Sequence, residues 1–219
     1  DARDDEVIVN FSLLYAYAPL LKEEEKKYEN FSKSIRRRAA IIGGHNMDDY
    51  PLKMHVFNRA RLIKNSKNRI PYGVDLIQKY KRESWIVFTE NKKQAKEFNK
   101  IINTKGFKSA LYNTDLDSAE RLENLNKFKK ADLNVLVTCT ALDEGFDMPE
   151  ADGALILSAS SSKRQRVQRM GRVLRITENK PNALIVTVYS SKTEFDKLME
   201  EAKRYHKEGV PVSWKRQDR

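Results

Sequence analysis

From Ser84 onward the chain alternates short apolar runs with longer amphipathic ones, which restricts its fold more than any other feature of its 219 residues. Trp85 to Thr89 (W-I-V-F-T) reads as a strand, and Asn91 to Asn103 as a helix with Ala95, Phe98 and Ile101 turned inward. Ala110 to Tyr112 reads as a second strand. Asp117 and Glu120 then have the spacing of a capping box, opening a helix whose inward positions are Leu122, Leu125 and Phe128. Val135 to Val137, Ala154 to Leu157 and Ala183 to Val188 continue the strands, and a helix from about Glu194 to His206 closes the series. Strands separated by helices of this length predict an α/β fold, a parallel sheet with helices on both faces. Ligands of such sheets bind outside the carboxyl ends of the strands, which directs attention to the loops there.

The first eighty residues have a different texture. After an apolar opening (Val7, Ile8, Val9, Phe11), Leu20 to Ile42 is rich in helix formers, with Leu21, Tyr28, Phe31, Ile35 and Ile42 at roughly helical spacing. Glu23, Glu24 and Glu25 lie early in it and Arg36, Arg37 and Arg38 late, the order that complements a helix dipole. Gly43 and Gly44 mark a stop, and a second helical pattern from about Asp48 to Lys64 predicts an antiparallel pair. Between Leu20 and Lys64 there are eleven basic against six acidic residues. This face is either a grip for an anionic partner or a solvated helical surface.

The whole chain is basic, 42 Lys and Arg against 31 Asp and Glu, a net charge of +11. That favours nucleic acid or an anionic surface as a partner. The lone Cys139 excludes an intrachain disulfide framework and fits a reducing compartment. No apolar run approaches the roughly 18 residues of a membrane span, and the N-terminus lacks the apolar core of a signal peptide, so an intracellular protein is expected. The first residue, Asp1, is not methionine, which suggests a piece of a longer protein.

Two loops at strand ends carry chemistry. After the third strand, Thr138 to Glu150 reads T-C-T-A-L-D-E-G-F-D-M-P-E. There Gly145 permits close backbone approach, Asp147 suits a ribose hydroxyl, and Thr138 and Thr140 suit a phosphate; the alternative is an ordinary strand-to-helix turn ended by Pro149. After the fourth strand, the polar run Ser158 to Ser162 leads into Lys163, Arg164 and a ladder of Arg166, Arg169, Arg172 and Arg175 around Gly171, with no carboxylate among them. Guanidinium forks match phosphate oxygens bidentately, so the target is a polyphosphate or a nucleic-acid backbone.

Together these segments resemble the second RecA-like motor domain of a superfamily 2 helicase. Motif IV falls at Ile86 to Thr89, motif V at Thr138 to Asp147, and motif VI, in its Q-R-x-G-R-x-x-R form, at Gln168 to Arg175. The run from Leu142 to Asp152, the Q-R-M-G-R-V-L-R run, the N-S-K-N-R segment from Asn65 to Arg69 and the E-E-E-K-K-Y-E start of the hairpin resemble the XPB (xeroderma pigmentosum group B) DNA repair helicases, of the archaeal and bacterial type. The resemblance implies a RecA-like, P-loop-NTPase-type helicase domain over residues 65–219. A thumb-like basic hairpin over 20–64 would precede it, and residues 1–19 would join the motor domain. It implies that Arg172 and Arg175 are arginine fingers on the ATP γ-phosphate, that Gln168 couples nucleotide state to closure, and that Gly145 and Asp147 lie at the nucleotide. Thr138, Thr140 and the hairpin arginines Arg36, Arg37 and Arg38 would contact DNA, with Arg164, Arg166 and Arg169 structural or on the DNA side. Tyr112 and Asn113 depart from the His-Gly pair many relatives carry.

The chain contains neither a G-x-x-x-x-G-K-[ST] loop nor a D-E-x-[HD] run, so no metal ligand is assigned in it. The resemblance therefore implies that ATP and Mg2+ are held largely by an N-terminal RecA-like domain of the same protein, and that this chain alone is inactive as an ATPase. Implied partners are DNA, that first domain and a repair nuclease or other repair factor in nucleotide excision repair, in a prokaryotic cytoplasm or nucleoid or a eukaryotic nucleus. The alternatives are a restriction- or defence-type translocase subunit and a nucleic-acid-binding module that does not use ATP.

Overall fold

The structure is a computed structural model that describes residues 11–139, 151–158 and 182–217. Expectations for Gly145, Asp147, Thr140, Gln168, Arg172 and Arg175 fall outside these residues. In chain order the elements are β1 (Phe11–Tyr17), α1 (Lys22–Ile41), α2 (Tyr50–Lys64), α3 (Arg69–Lys79), β2 (Trp85–Thr89), α4 (Lys92–Thr104), β3 (Ser109–Tyr112), α5 (Ser118–Lys129), β4 (Val135–Cys139), β5 (Gly153–Ile156), β6 (Ala183–Tyr189), α6 (Lys192–Lys207) and β7 (Val212–Arg216).

The strands form one seven-stranded sheet in the order β3-β4-β2-β5-β6-β1-β7, parallel at every pairing. Its interior strands are mostly apolar, as strands covered on both faces tend to be. Alternate side chains feed two cores: Ile86, Phe88, Leu136 and Ile185 meet Leu125, Phe128, Leu198 and Tyr205 of α5 and α6. Trp85, Val87, Val137 and Val186 meet Ile70, Val74 and Ile77 of α3 and Ala95, Phe98 and Ile102 of α4. This is the doubly covered parallel sheet expected from the alternation.

Helix α3 was not anticipated, because Pro71 and Gly73 punctuate its sequence. Pro71 lies in the first turn, where it removes no helical hydrogen bond. Gly73 has a packing reason: a Cβ there would stand 2.7 Å from Leu157 Cδ2, so glycine lets the helix lie against β5. Strands β1 and β7 were also unforeseen as sheet members. The helical inward positions shift in two places: Leu122 is 56% exposed, and Ile102 rather than Ile101 is fully buried. In the expected capping box, the Asp117 carboxylate does accept from the Glu120 amide at 2.7 Å.

Candidate nucleic-acid interface

The hairpin of α1 and α2 stands at the carboxyl edge of the sheet and is fastened there by polar contacts at its base. Lys64 Nζ pairs with Glu90 Oε1 at 2.6 Å, Asn91 Nδ2 donates to Asn65 Oδ1 at 2.7 Å, and Gln94 Nε2 donates to the Lys64 carbonyl at 2.8 Å. These bonds place the end of α2 beside the turn that joins β2 to α4. On the other side, the Glu24 carboxylate, itself buried, accepts from the Leu21 amide at 3.0 Å and from the Lys67 amide at 3.0 Å. Asn68 Nδ2 donates to the Pro19 carbonyl at 2.6 Å. Both ends of the hairpin are thus tied to the edge of the sheet.

Between hairpin and edge lies a groove of about 910 Å³, lined among others by Phe31, Phe57, Arg61, Lys64, Asn91 and Lys93. Phe57 is 52% exposed, with Lys53 Nζ lying over its ring at 5.9 Å from the centroid. Arg61, Lys64 and Lys93 against Glu90 leave the lining net positive. Cations beside exposed rings are the combination that holds a nucleic-acid strand, backbone on the charges and bases on the aromatic faces. None of these lining residues was singled out from the sequence as a ligand contact; Phe31 reads there only as an apolar position at helical spacing.

The arginine triplet is divided by the fold. Arg36 and Arg37 are exposed. Arg38 instead closes the hairpin turn on Asp49, with Nε at 2.9 Å from Oδ1 and Nη2 at 2.6 Å from Oδ2. The Arg38 hydrogen bond, with a further one from the Leu52 amide, holds the Asp49 carboxyl below its ordinary range. Arg59 is also internal to the hairpin, donating to Ser32 Oγ at 3.2 Å and lying over the Tyr28 ring. Arg36 and Arg37 therefore remain the members of the triplet available to a ligand.

Thr138, expected at a phosphate, has no exposed surface. It sits inside β4, where its carbonyl accepts from Thr89 Oγ1 at 3.0 Å and its own hydroxyl donates to the Cys139 carbonyl at 3.2 Å. Its hydroxyl is thus engaged within the sheet. Asn113 is also buried, its Oδ1 accepting from the Asp115 amide at 2.9 Å. Asp115 pairs with Lys92 and with Lys96, and the Lys92 bond foremost lowers its carboxyl below the usual range. No cluster of three or more His, Cys, Asp or Glu among the described residues is arranged for a metal ion. No helix among them is long and apolar enough to cross a membrane.

Residues 68–177 match the Helicase conserved C-terminal domain family, a span beginning at α3 and running through the arginine ladder. The chain belongs to that family. The C-terminal helicase domain is 29% identical over 202 residues to a DNA 3'-5' translocase XPB2 of Sulfurisphaera tokodaii, covering 85% of this chain and 44% of the relative. It is 31% identical over 125 residues to a UvrABC system protein B of Fusobacterium nucleatum, covering 54% and 19%. A third relative, an ATP-dependent rRNA helicase RRP3 of Scheffersomyces stipitis, is 26% identical over 118 residues, covering 54% and 24%. The chain thus spans less than half the length of each of these relatives.

Among solved structures, the C-terminal domain of the DEAD-box protein Dbp5 superposes with a TM-score of 0.59 at 19% identity, covering 69% of this chain and 85% of that one. The DEAD-box protein SrmB of E. coli, bound to regulator of ribonuclease activity A, superposes with a TM-score of 0.58 at 13% identity, covering 96% and 92%. These likenesses show the fold, a RecA-like parallel sheet covered by helices on both faces. A DNA translocase, UvrABC system proteins B and ATP-dependent RNA helicases all appear among the relatives, so the family by itself leaves the nucleic acid open.

Proposed function

We propose that the chain is the second motor domain of an XPB-like, ATP-dependent DNA translocase acting in nucleotide excision repair, with α1 and α2 as its DNA-gripping thumb. The observation that carries this reading is the basic, ring-lined groove between the hairpin and the carboxyl edge of the sheet, held in place by the Lys64, Asn65 and Gln94 contacts. A strand seated there would have Arg61 and Lys93 for its phosphates and Phe57 for a base. The motif resemblance and the DNA translocase relative support DNA over RNA.

In this reading Arg172 and Arg175 act on the γ-phosphate, while Gln168, Gly145 and Asp147 serve the nucleotide. Bound ATP supplies the phosphoryl transfer whose developing charge such arginines stabilise, an effect of about 10³ to 10⁵ in rate. The metal ligands would come from outside the described residues, in a first RecA-like domain of the same protein. Closure of the cleft between the two domains would then move the groove along the DNA backbone. In the full-length protein, DNA should stimulate ATP hydrolysis, and Arg172→Ala or Arg175→Ala should lower the stimulated kcat at least about tenfold with little loss of DNA binding. Stimulation by RNA but not DNA would overturn the choice of nucleic acid, and an unchanged kcat in both variants the finger assignment.

A further inference from the structure

Arg69 is the only arginine among the described residues with no exposed surface, and every donor it has is used. A guanidinium carries five N–H groups in a fixed planar fork. Here Nε donates to the Ile63 carbonyl at 2.9 Å and reaches Ser66 Oγ at 3.2 Å, both at the base of the hairpin. Nη1 donates to the Leu157 carbonyl at 2.8 Å and the Val188 carbonyl at 2.7 Å. Those carbonyls lie just past the last β5–β6 pair, Ile156 with Thr187, where β5 parts from β6 while β6 runs on beside β1 to Tyr189. Nη2 holds both oxygens of Glu194, at 2.7 and 2.6 Å, in the first turn of α6.

The same carboxylate is fixed from behind by the Ser190 amide at 2.8 Å, and Ser66 Oγ lies 3.1 Å from Ser190 Oγ. One side chain thus joins the end of α2, the ends of two central strands and the start of a helix on the opposite face of the sheet. Burying an ion pair is a poor way to gain stability, since an apolar set of equal volume often does as well. Its directional fork is what an apolar set lacks. In sequence, Leu157 and Ser158 lead directly into the arginine-bearing segment.

We infer that Arg69 is a positioning residue that couples the DNA-gripping hairpin to the strand ends serving the nucleotide, through its simultaneous bonds to Ile63, Ser66, Leu157, Val188 and Glu194. The inference rests on the motor reading above. A load on the hairpin displaces Ile63 and Ser66, and the rigid fork passes that displacement to Leu157 and α6 instead of letting the hairpin pivot alone. Such a link is established by measured coupling rather than by adjacency.

The test is the ratio of DNA-stimulated to DNA-free kcat in the full-length protein at saturating duplex, with duplex affinity measured in parallel. Two variants are compared with the parent. Arg69→Lys keeps a cation for Glu194 but not the fork, and Arg69→Met combined with Glu194→Leu replaces the pair by apolar groups and stays foldable without an unpaired charge. The expected result is a ratio at least fivefold lower in both variants, with duplex Kd within about twofold of the parent. A ratio equal to the parent's in the folded double variant, whether or not basal turnover falls, overturns the inference while leaving the motor reading intact. A parent that DNA does not stimulate overturns both.

Discussion

Strands β2, β4, β5 and β6 are buried at every position, whereas α1 and α2 bury only Glu24, Ile35, Leu52 and Ile63 between them. The sheet is held by apolar area removed from water on both faces, at about 25 cal/mol per Å². The hairpin depends more on directional contacts: Arg38 with Asp49, Arg59 with Ser32, Glu24 with Lys67. One region is a rigid platform. The other is a polar lever, and elements with few buried apolar contacts are those that open most readily.

The strongest way to break this contrast is at the centre of the platform. Phe98 is fully buried in the core shared by α3, α4 and the sheet, and Phe98→Ala should cost about 3–5 kcal/mol through lost transfer energy and the cavity left behind. Chemical denaturation should show hairpin and sheet lost in one transition at lower denaturant; a hairpin that persists after the sheet has gone would contradict its dependence on the platform. Leu52→Ala removes an equally buried side chain, but from the lever. It should cost about 2–4 kcal/mol locally, seen as faster amide exchange across residues 22–64 with the protection of β2, β4, β5 and β6 unchanged. If the central strands lose protection to the same extent, the two regions form one cooperative unit and the contrast fails.

The platform was legible because period and composition agree there: Trp85 to Thr89, Val135 to Val137 and Ala183 to Val188 are continuous apolar runs between amphipathic helices. The lever was legible as two helices, with α1 and α2 beginning within about two residues of the expected positions. Its burial was not, since the apolar positions of α1 largely stay half-exposed and only Ile35 is enclosed. Arg69 shows why the joint between the regions was hidden. Two of its three carbonyl partners lie 88 and 119 residues away in sequence, and no periodicity marks a cation that will be buried by distant backbone. Strand β7 was hidden for the opposite reason, since V-S-W-K-R at a sheet edge carries the charges that protect edges rather than the apolar alternation that announces strands.

The smallest expected effect on stability lies in the arginine triplet, where position on one helix separates ligand from scaffold. Arg36 and Arg37 are exposed, and replacing both with alanine should change stability by no more than about 0.5 kcal/mol, as surface substitutions usually do. If they meet phosphates, the same change should reduce the salt slope of DNA binding by up to about 2, roughly one per lost contact. Arg38→Ala should behave in the opposite sense, loosening the hairpin turn with little change in slope, since its fork is already engaged by Asp49. Titrating duplex affinity against salt for the two variants decides between them. Equal slopes in the Arg36 and Arg37 double variant and the parent would make that surface a solvated face, and would leave the groove at Phe57 and Arg61 as the hairpin's ligand-facing side.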